Sequence, residues 1–237
     1  LPSAMDRVSA VVERDKNHPS VFSWSLGNES GVGENFEVMS DYIRRKDPTR
    51  LISYDGREAF KHMPKDTYDM NSSMYPIIRE LKEGEGHVGI LNYWKKPIND
   101  KPYIIVEYAH AKGNALGNFK EYWEMMEEYE PMVGGFIWDW VNQSFWHKME
   151  DGRVRNTHST DFAGGATTQA AGEFQGGSRP FDGCINGVIF SDRRIQPEMF
   201  EVKRMHQFIG FKLLSAQDGQ VEIHNKYSTT NLDQFKG

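Results

Sequence analysis

The chain is short of cysteine, of basic charge and of long apolar runs, and each shortage closes off a class of function. A single cysteine, Cys184, among 237 residues excludes an internal disulfide and a cysteine-built zinc site. Lys and Arg number 28 against 34 Asp and Glu, for a net charge of −6. No basic surplus exists to neutralise a phosphate backbone, so nucleic acid is not an expected partner. No run of ~18 apolar residues occurs, so no membrane-spanning helix is expected. The opening Leu1-Pro2-Ser3-Ala4-Met5 has no signal-peptide pattern. The expectation is a soluble protein of the cytoplasm or periplasm. The first residue is not Met, and the last, Gly237, closely follows a strand-like run, so both ends read as cuts in a longer polypeptide.

What is present suits a sizeable core: 38% apolar and 26% charged residues, with 22 glycines. Aromatics reach 13%, with six Trp, side chains that serve cores, interfaces and sugar-stacking surfaces alike. Periodicity predicts helices over 4–16, 34–46, 76–83, 115–128 and 197–206. Short apolar runs predict strands over 21–26, 51–54, 68–71, 103–107 and 134–140. Strands alternating with helices argue for a parallel sheet. Without a glycine-rich phosphate loop, they fit most of a (β/α)₈ barrel better than a dinucleotide-binding sheet. Residues 148–183 are rich in Gly, Ser and Thr and read as one long loop. From Phe208 the period becomes two, predicting an antiparallel pair, 208–213 with 220–225, around Asp218-Gly219. The expected fold is α/β: residues 1–205 a partial barrel, residues 206–237 the start of a β-sandwich.

In such a barrel, side chains at the C-terminal ends of strands form the site. Two carboxylates fall there. Glu29 follows the first apolar run, and Glu107 closes the run beginning at Tyr103. A carboxylate pair across one cleft is the apparatus of glycoside hydrolysis; two structural ion-pair residues are the competing reading. Trp138, Asp139 and Trp140 end another strand at the same rim, where an indole can stack on a sugar face. His110, expected one helical turn past Glu107, can bond a hydroxyl or the carboxylate. Asn28 offers both donor and acceptor beside Glu29.

These segments resemble a known family. Asn17-His18-Pro19-Ser20-Val21 with Trp24-Ser25-Leu26-Gly27-Asn28-Glu29-Ser30-Gly31 is similar to the acid/base signature of the β-galactosidases in family 2 of the glycoside hydrolases. Glu107-Tyr108-Ala109-His110-Ala111 with Gly113-Asn114 is similar to that family's nucleophile segment. Gly134-Gly135-Phe136-Ile137-Trp138-Asp139-Trp140-Val141 with Gln143 resembles the eighth barrel strand. Asn186-Gly187-Val188-Ile189-Phe190-Ser191-Asp192-Arg193 resembles the segment leading out of the barrel. The order matches from Leu1 to about Tyr227.

The resemblance implies that the chain holds about strands four to eight of the barrel. It implies Glu29 as general acid/base, also a ligand of Mg²⁺ whose other ligands lie outside the chain, and Glu107 as nucleophile. Asn28, Tyr75, His110, Trp138 and Asn186 become substrate-binding residues, with Asn186 also holding a monovalent cation such as Na⁺. The implied substrate is a β-galactoside, such as lactose or a galactose-containing oligosaccharide, and the complete enzyme is expected to be a homo-oligomer. Three positions depart from the family pattern: Val32 where His is frequent, Lys112 where Met is frequent, and Gly183 where an aromatic is frequent. The readings left standing beside β-galactosidase are β-glucuronidase, β-mannosidase, and a catalytically incomplete or merely carbohydrate-binding remnant. The 237-residue chain alone is expected to be inactive.

Overall fold

A computed structural model describes residues 1–55, 62–64, 66–83, 101–111, 116–157 and 185–235. Helix α1 (Pro2–Asp15) starts with proline at a first-turn position, where its missing N–H costs nothing. It leads into β1 (Ser23–Asn28), α2 (Glu34–Lys46) and β2 (Leu51–Asp55). In α2, Glu34 and Glu37 lie in the first turn and Arg44, Arg45 and Lys46 in the last, charges that complement the helix dipole. Then come β3 (Asn71–Met74), α3 (Ile78–Glu83), β4 (Tyr103–Tyr108), α4 (Phe119–Glu128) and β5 (Met132–Ile137). β1 pairs with β2 in parallel, and β3, β4 and β5 form a parallel sheet in that order. A parallel bridge from Ser53 to Met70 and the Asp69 N–H to Ile52 carbonyl bond of 2.7 Å link the two groups.

Helices pack on one side of this succession. Val8 and Val12 of α1 meet Trp24 and Leu26 of β1, Ile43 of α2, and Ile52 and Tyr54 of β2. A second cluster joins Tyr103, Ile105 and Tyr108 of β4 to Phe119 and Met125 of α4 and to Met132. On another surface Phe22 and Phe136 stack at 6.3 Å, bringing the start of β1 near β5, yet they remain 54% and 51% exposed.

Several elements differ from the sequence expectation. The weak strand at 68–71 lies three residues further on, as β3. The last parallel strand ends at Ile137, and Trp138 to Trp140 follow it in a bend that begins with a cis Trp138–Asp139 peptide. His110 is not helical: Ala109 turns at φ 58° and residues 109–111 are irregular. The supposed loop from 148 includes β7 (Val154–Thr157), which pairs antiparallel with β6 (Phe145–Lys148); residues 158–184 lie outside the described residues. α5 (Glu198–Met205) precedes the hairpin of β8 (Ile209–Ser215) and β9 (Gln220–Asn225), whose Phe211, Leu213, Val221 and Ile223 are exposed.

Arg50 explains how the segment preceding β1 is held. Its guanidinium donates to the carbonyls of Lys16, His18 and Val21 and pairs with Asp47, which is 6% exposed. Trp24 Nε1 donates to the same carboxylate at 2.9 Å. Burial alone would raise the Asp47 carboxyl; hydrogen bonds from Thr49, Arg50 and Trp24 outweigh it and hold the group well below the usual carboxylate range. A depressed folded value contributes stability that is complete above the unfolded value near ~3.9 and is lost as pH falls through the folded value. Asp47→Asn is therefore expected to cost roughly 2 kcal/mol at neutral pH. The gap from wild type in urea melts should narrow as pH drops below about 4; a gap independent of pH contradicts this account.

Candidate active site

Interruptions in strand pairing set the site. The β3–β4 register shifts between Ser73 and Met74, the β4–β5 register between Ile105 and Tyr108, and the β1–β2 register between Ser25 and Asn28. These three lie toward the C-terminal ends of parallel strands, and a fourth, between Tyr103 and Ile104, lies at the start of β4. In an unbroken strand Glu107 would share the face of Ile105 and point into the helix-packed core. The irregularity breaks this alternation. Tyr108, three residues after Ile105, enters the core at 1% exposure, and Glu107 is released from it. Such bulges commonly re-aim side chains beside active sites.

Glu107 then meets Tyr75, one residue past β3. The Tyr75 N–H donates to the Glu107 carbonyl at 2.8 Å, which brings the phenol close to the Glu107 carboxyl. Burial pushes the Glu107 carboxyl up; the nearby phenol opposes this, and the negative charges of Glu29 and Asp55 add to the upward push. The Tyr75 phenol is raised in turn, by burial and by the neighbouring Glu107 carboxylate, with smaller contributions from Glu29 and Asp139. Glu29 and Glu107, on strands separated by β2 and β3, therefore act on one electrostatic site.

The remaining expected residues surround this pair. The Tyr75 and His110 rings lie 5.7 Å apart. Nδ2 of the fully buried Asn186 is 3.1 Å from His110 Nε2, a contact that makes the ring nitrogen the acceptor. The Asn186 carbonyl accepts from Ala111 N–H at 3.3 Å and Asp139 N–H at 3.2 Å, tying together the exits of β4 and β5. Gly187 is required beside it: an added Cβ would lie 2.3 Å from the Asn142 nitrogen. Trp138 N–H donates to the Tyr108 carbonyl at 2.9 Å, and the indole is 40% exposed. Asp139 accepts from Gln143 and from the Trp140 N–H, both at 2.6 Å. Asn28 ends β1, exposed and in register with Asp55. Val32 is exposed at the same turn, whereas Lys112 and Gly183 lie outside the described residues.

Metal capacity is uneven. Among the described residues no group of three or more His, Cys, Asp or Glu is placed to hold an ion. Glu29 by itself does not make an octahedral Mg²⁺ site. Asn186 Oδ1 is buried without a hydrogen-bond partner, a donor suited to a small cation.

Two residues escaped the sequence reading. Asp55 closes β2, its carboxyl raised by burial, with the Ser25 hydroxyl 3.3 Å away. The rule that singled out Glu29 and Glu107, a carboxylate ending an apolar strand, applies to it equally. Tyr54, 2% exposed, reads in sequence only as a core aromatic.

The comparisons with known proteins agree on kinship. The profile described as glycosyl hydrolases family 2, TIM barrel domain, matches residues 1–211. A β-galactosidase of Priestia megaterium is 37% identical over 98% of this chain, and one of Klebsiella pneumoniae is 36% identical over 96%. The chain spans only 20% and 21% of the length of these two relatives. Among solved structures, a family 2 β-galacturonidase from Eisenbergiella tayi bound to galacturonate superposes with a TM-score of 0.58 at 18% identity, covering 86% of this chain and 36% of that one. A β-glucuronidase from Facaelibacterium prausnitzii L2-6 superposes with a TM-score of 0.54 at 15% identity, covering 94% and 36%. Structural likeness at these identities carries the fold, and the profile match carries the family. The chain belongs to glycoside hydrolase family 2 and contributes an α/β part of its TIM-barrel domain.

Proposed function

We propose that this chain supplies strands four to eight of the catalytic barrel of a retaining β-galactosidase, with the hairpin after residue 206 opening a β-sandwich. The observation that carries the reading is the placement of Glu107: turned out of the core by the shift in β4, partly desolvated, tied through its carbonyl to Tyr75 and within reach of the charge of Glu29. The names of its relatives support galactose as the sugar. The half-exposed Phe22 and Phe136 support further barrel strands that cover them, brought by the rest of a longer enzyme.

In this reading Glu107 attacks the anomeric carbon while Glu29 gives its proton to the departing glycosidic oxygen. A galactosyl ester on Glu107 results. Glu29, now a carboxylate, takes a proton from water, which attacks the same carbon and frees Glu107. A direct attack requires the two carboxyl groups to stand ~5–5.5 Å apart. Trp138 offers a stacking face, and Asn28, Tyr75, His110 and Asn186 offer polar groups to the sugar. Asn186 Oδ1 would be one ligand of a Na⁺ ion, which would supply a fixed positive charge near the hydroxyls. Mg²⁺ would rest on Glu29 with ligands from elsewhere in the enzyme.

Three variants of the complete enzyme test these roles. Glu107→Gln is expected to abolish turnover of every galactoside. Glu29→Ala should lower kcat/KM by ~10²–10⁴ for sugars with poor leaving groups, while aryl galactosides of acidic phenols are largely spared. Equal losses across the series contradict the assignment. The Tyr75 hydroxyl favours the charged form of Glu107, so Tyr75→Phe raises that carboxyl further. Because the nucleophile must be ionised, the acid limb of the kcat/KM profile should move to higher pH, with a rate loss of roughly ten- to hundredfold. A limb that stays in place or moves down shows that Tyr75 does not bond the nucleophile.

A further inference from the structure

Glu29 is held in a backbone conformation that needs outside support. Its φ is 50°, and Gly31, two residues on, has φ 80°. A non-glycine residue in this region persists only where its surroundings over-determine it. The support comes from β2. The Glu29 N–H donates to the Asp55 carbonyl at 2.7 Å. The hydroxyl of Tyr54 accepts the Ser30 N–H at 3.0 Å and donates to the Gly31 carbonyl. One phenol thus engages both residues that follow Glu29. Its ring is fixed by packing on Phe36 of α2, with centroids 4.7 Å apart, and the residue is 2% exposed. The loop is closed on its own side by Ser30 Oγ, which donates to the Asn28 carbonyl at 2.8 Å.

We propose that Tyr54 is a positioning residue for proton transfer: its hydroxyl locks the turn from which Glu29 reaches the glycosidic oxygen. The inference rests on the acid/base role given to Glu29 above. Tyr54 touches neither the sugar nor the reacting atoms in this account. Its effect is geometric, since a proton donor must lie within hydrogen-bond reach of the oxygen it serves and small displacements are costly. Burial pushes the Tyr54 phenol up, against the Ser30 N–H and with the charges of Asp55 and Glu29, so it stays protonated and keeps its bond to Gly31 through the neutral range.

The test is Tyr54→Phe in the complete enzyme, which keeps the ring against Phe36 and removes only the hydroxyl. kcat/KM is measured for a series of aryl β-galactosides running from dinitrophenol to unsubstituted phenol as leaving group. The phenyl galactoside should lose roughly tenfold, the weight of one such hydrogen bond, while the dinitrophenyl galactoside, which needs little protonation, changes by less than about twofold. The ratio of the two is read on one sample, so a smaller folded fraction cancels. An unchanged ratio, whether both substrates lose equally or neither does, overturns the proposal. A wild-type enzyme that cleaves no β-galactoside overturns the underlying reading instead, before the variant is compared.

Discussion

Everything at this site depends on the break in β4 alternation between Ile105 and Tyr108. A parallel strand covered by helices is apolar on the face that meets them, and a carboxylate on that face would have to give up its water without a partner. The shift lets β4 send Ile105 and Tyr108 into one core while turning Glu107 out of it. Tyr75, itself turned at φ 48° just past the shift in the β3–β4 register, then has a carboxylate to meet. The buried cluster of Tyr103, Ile105, Tyr108 and Phe119 thus fixes the strand from which Glu107 projects.

A second consequence is electrostatic. Glu29, Asp55, Glu107 and Asp139 reach the same rim from the ends of four different strands, and their negative charges act on Tyr54, Tyr75 and Glu107. Two phenols moderate this crowding by different means. The Tyr75 phenol favours the charged form of Glu107, whereas the Tyr54 phenol bonds the backbone that follows Glu29. Asn186 plays a matching part at the other exit, joining His110, Ala111 and Asp139 through one buried side chain and its carbonyl.

The parallel succession of strands, the helices between them and both carboxylates were legible in the sequence because each rests on local pattern. Glu107 directly closes the apolar run Tyr103–Val106, and Glu29 comes just after the looser run Val21–Leu26. Register was not legible. Glu107 in the parity of Ile105 signals that strict alternation cannot run to the end of Tyr103-Ile104-Ile105-Val106-Glu107-Tyr108, but nothing in the residues says where the extra residue enters or that Tyr108 takes the place in the core. His110 was expected one helical turn past Glu107, but the left-handed turn at Ala109 is a tertiary demand on a residue with no local preference for it. The β6–β7 hairpin was missed because Phe145-Trp146-His147-Lys148 is too short and too exposed to show a period. Tyr54 was invisible as a site residue, since an aromatic in an apolar run differs from a core side chain only by where its hydroxyl ends.

In the proposed retaining mechanism Glu107 forms a covalent bond to the sugar. A 2-deoxy-2-fluoro-β-galactoside with a good leaving group slows both chemical steps and lets the glycosyl-enzyme accumulate. The complete enzyme should be inactivated by it, and peptide mass analysis should place the fluorogalactosyl ester on Glu107. A label on Glu29 or on any other residue, or hydrolysis that inverts the anomeric carbon with no ester formed, would contradict the account.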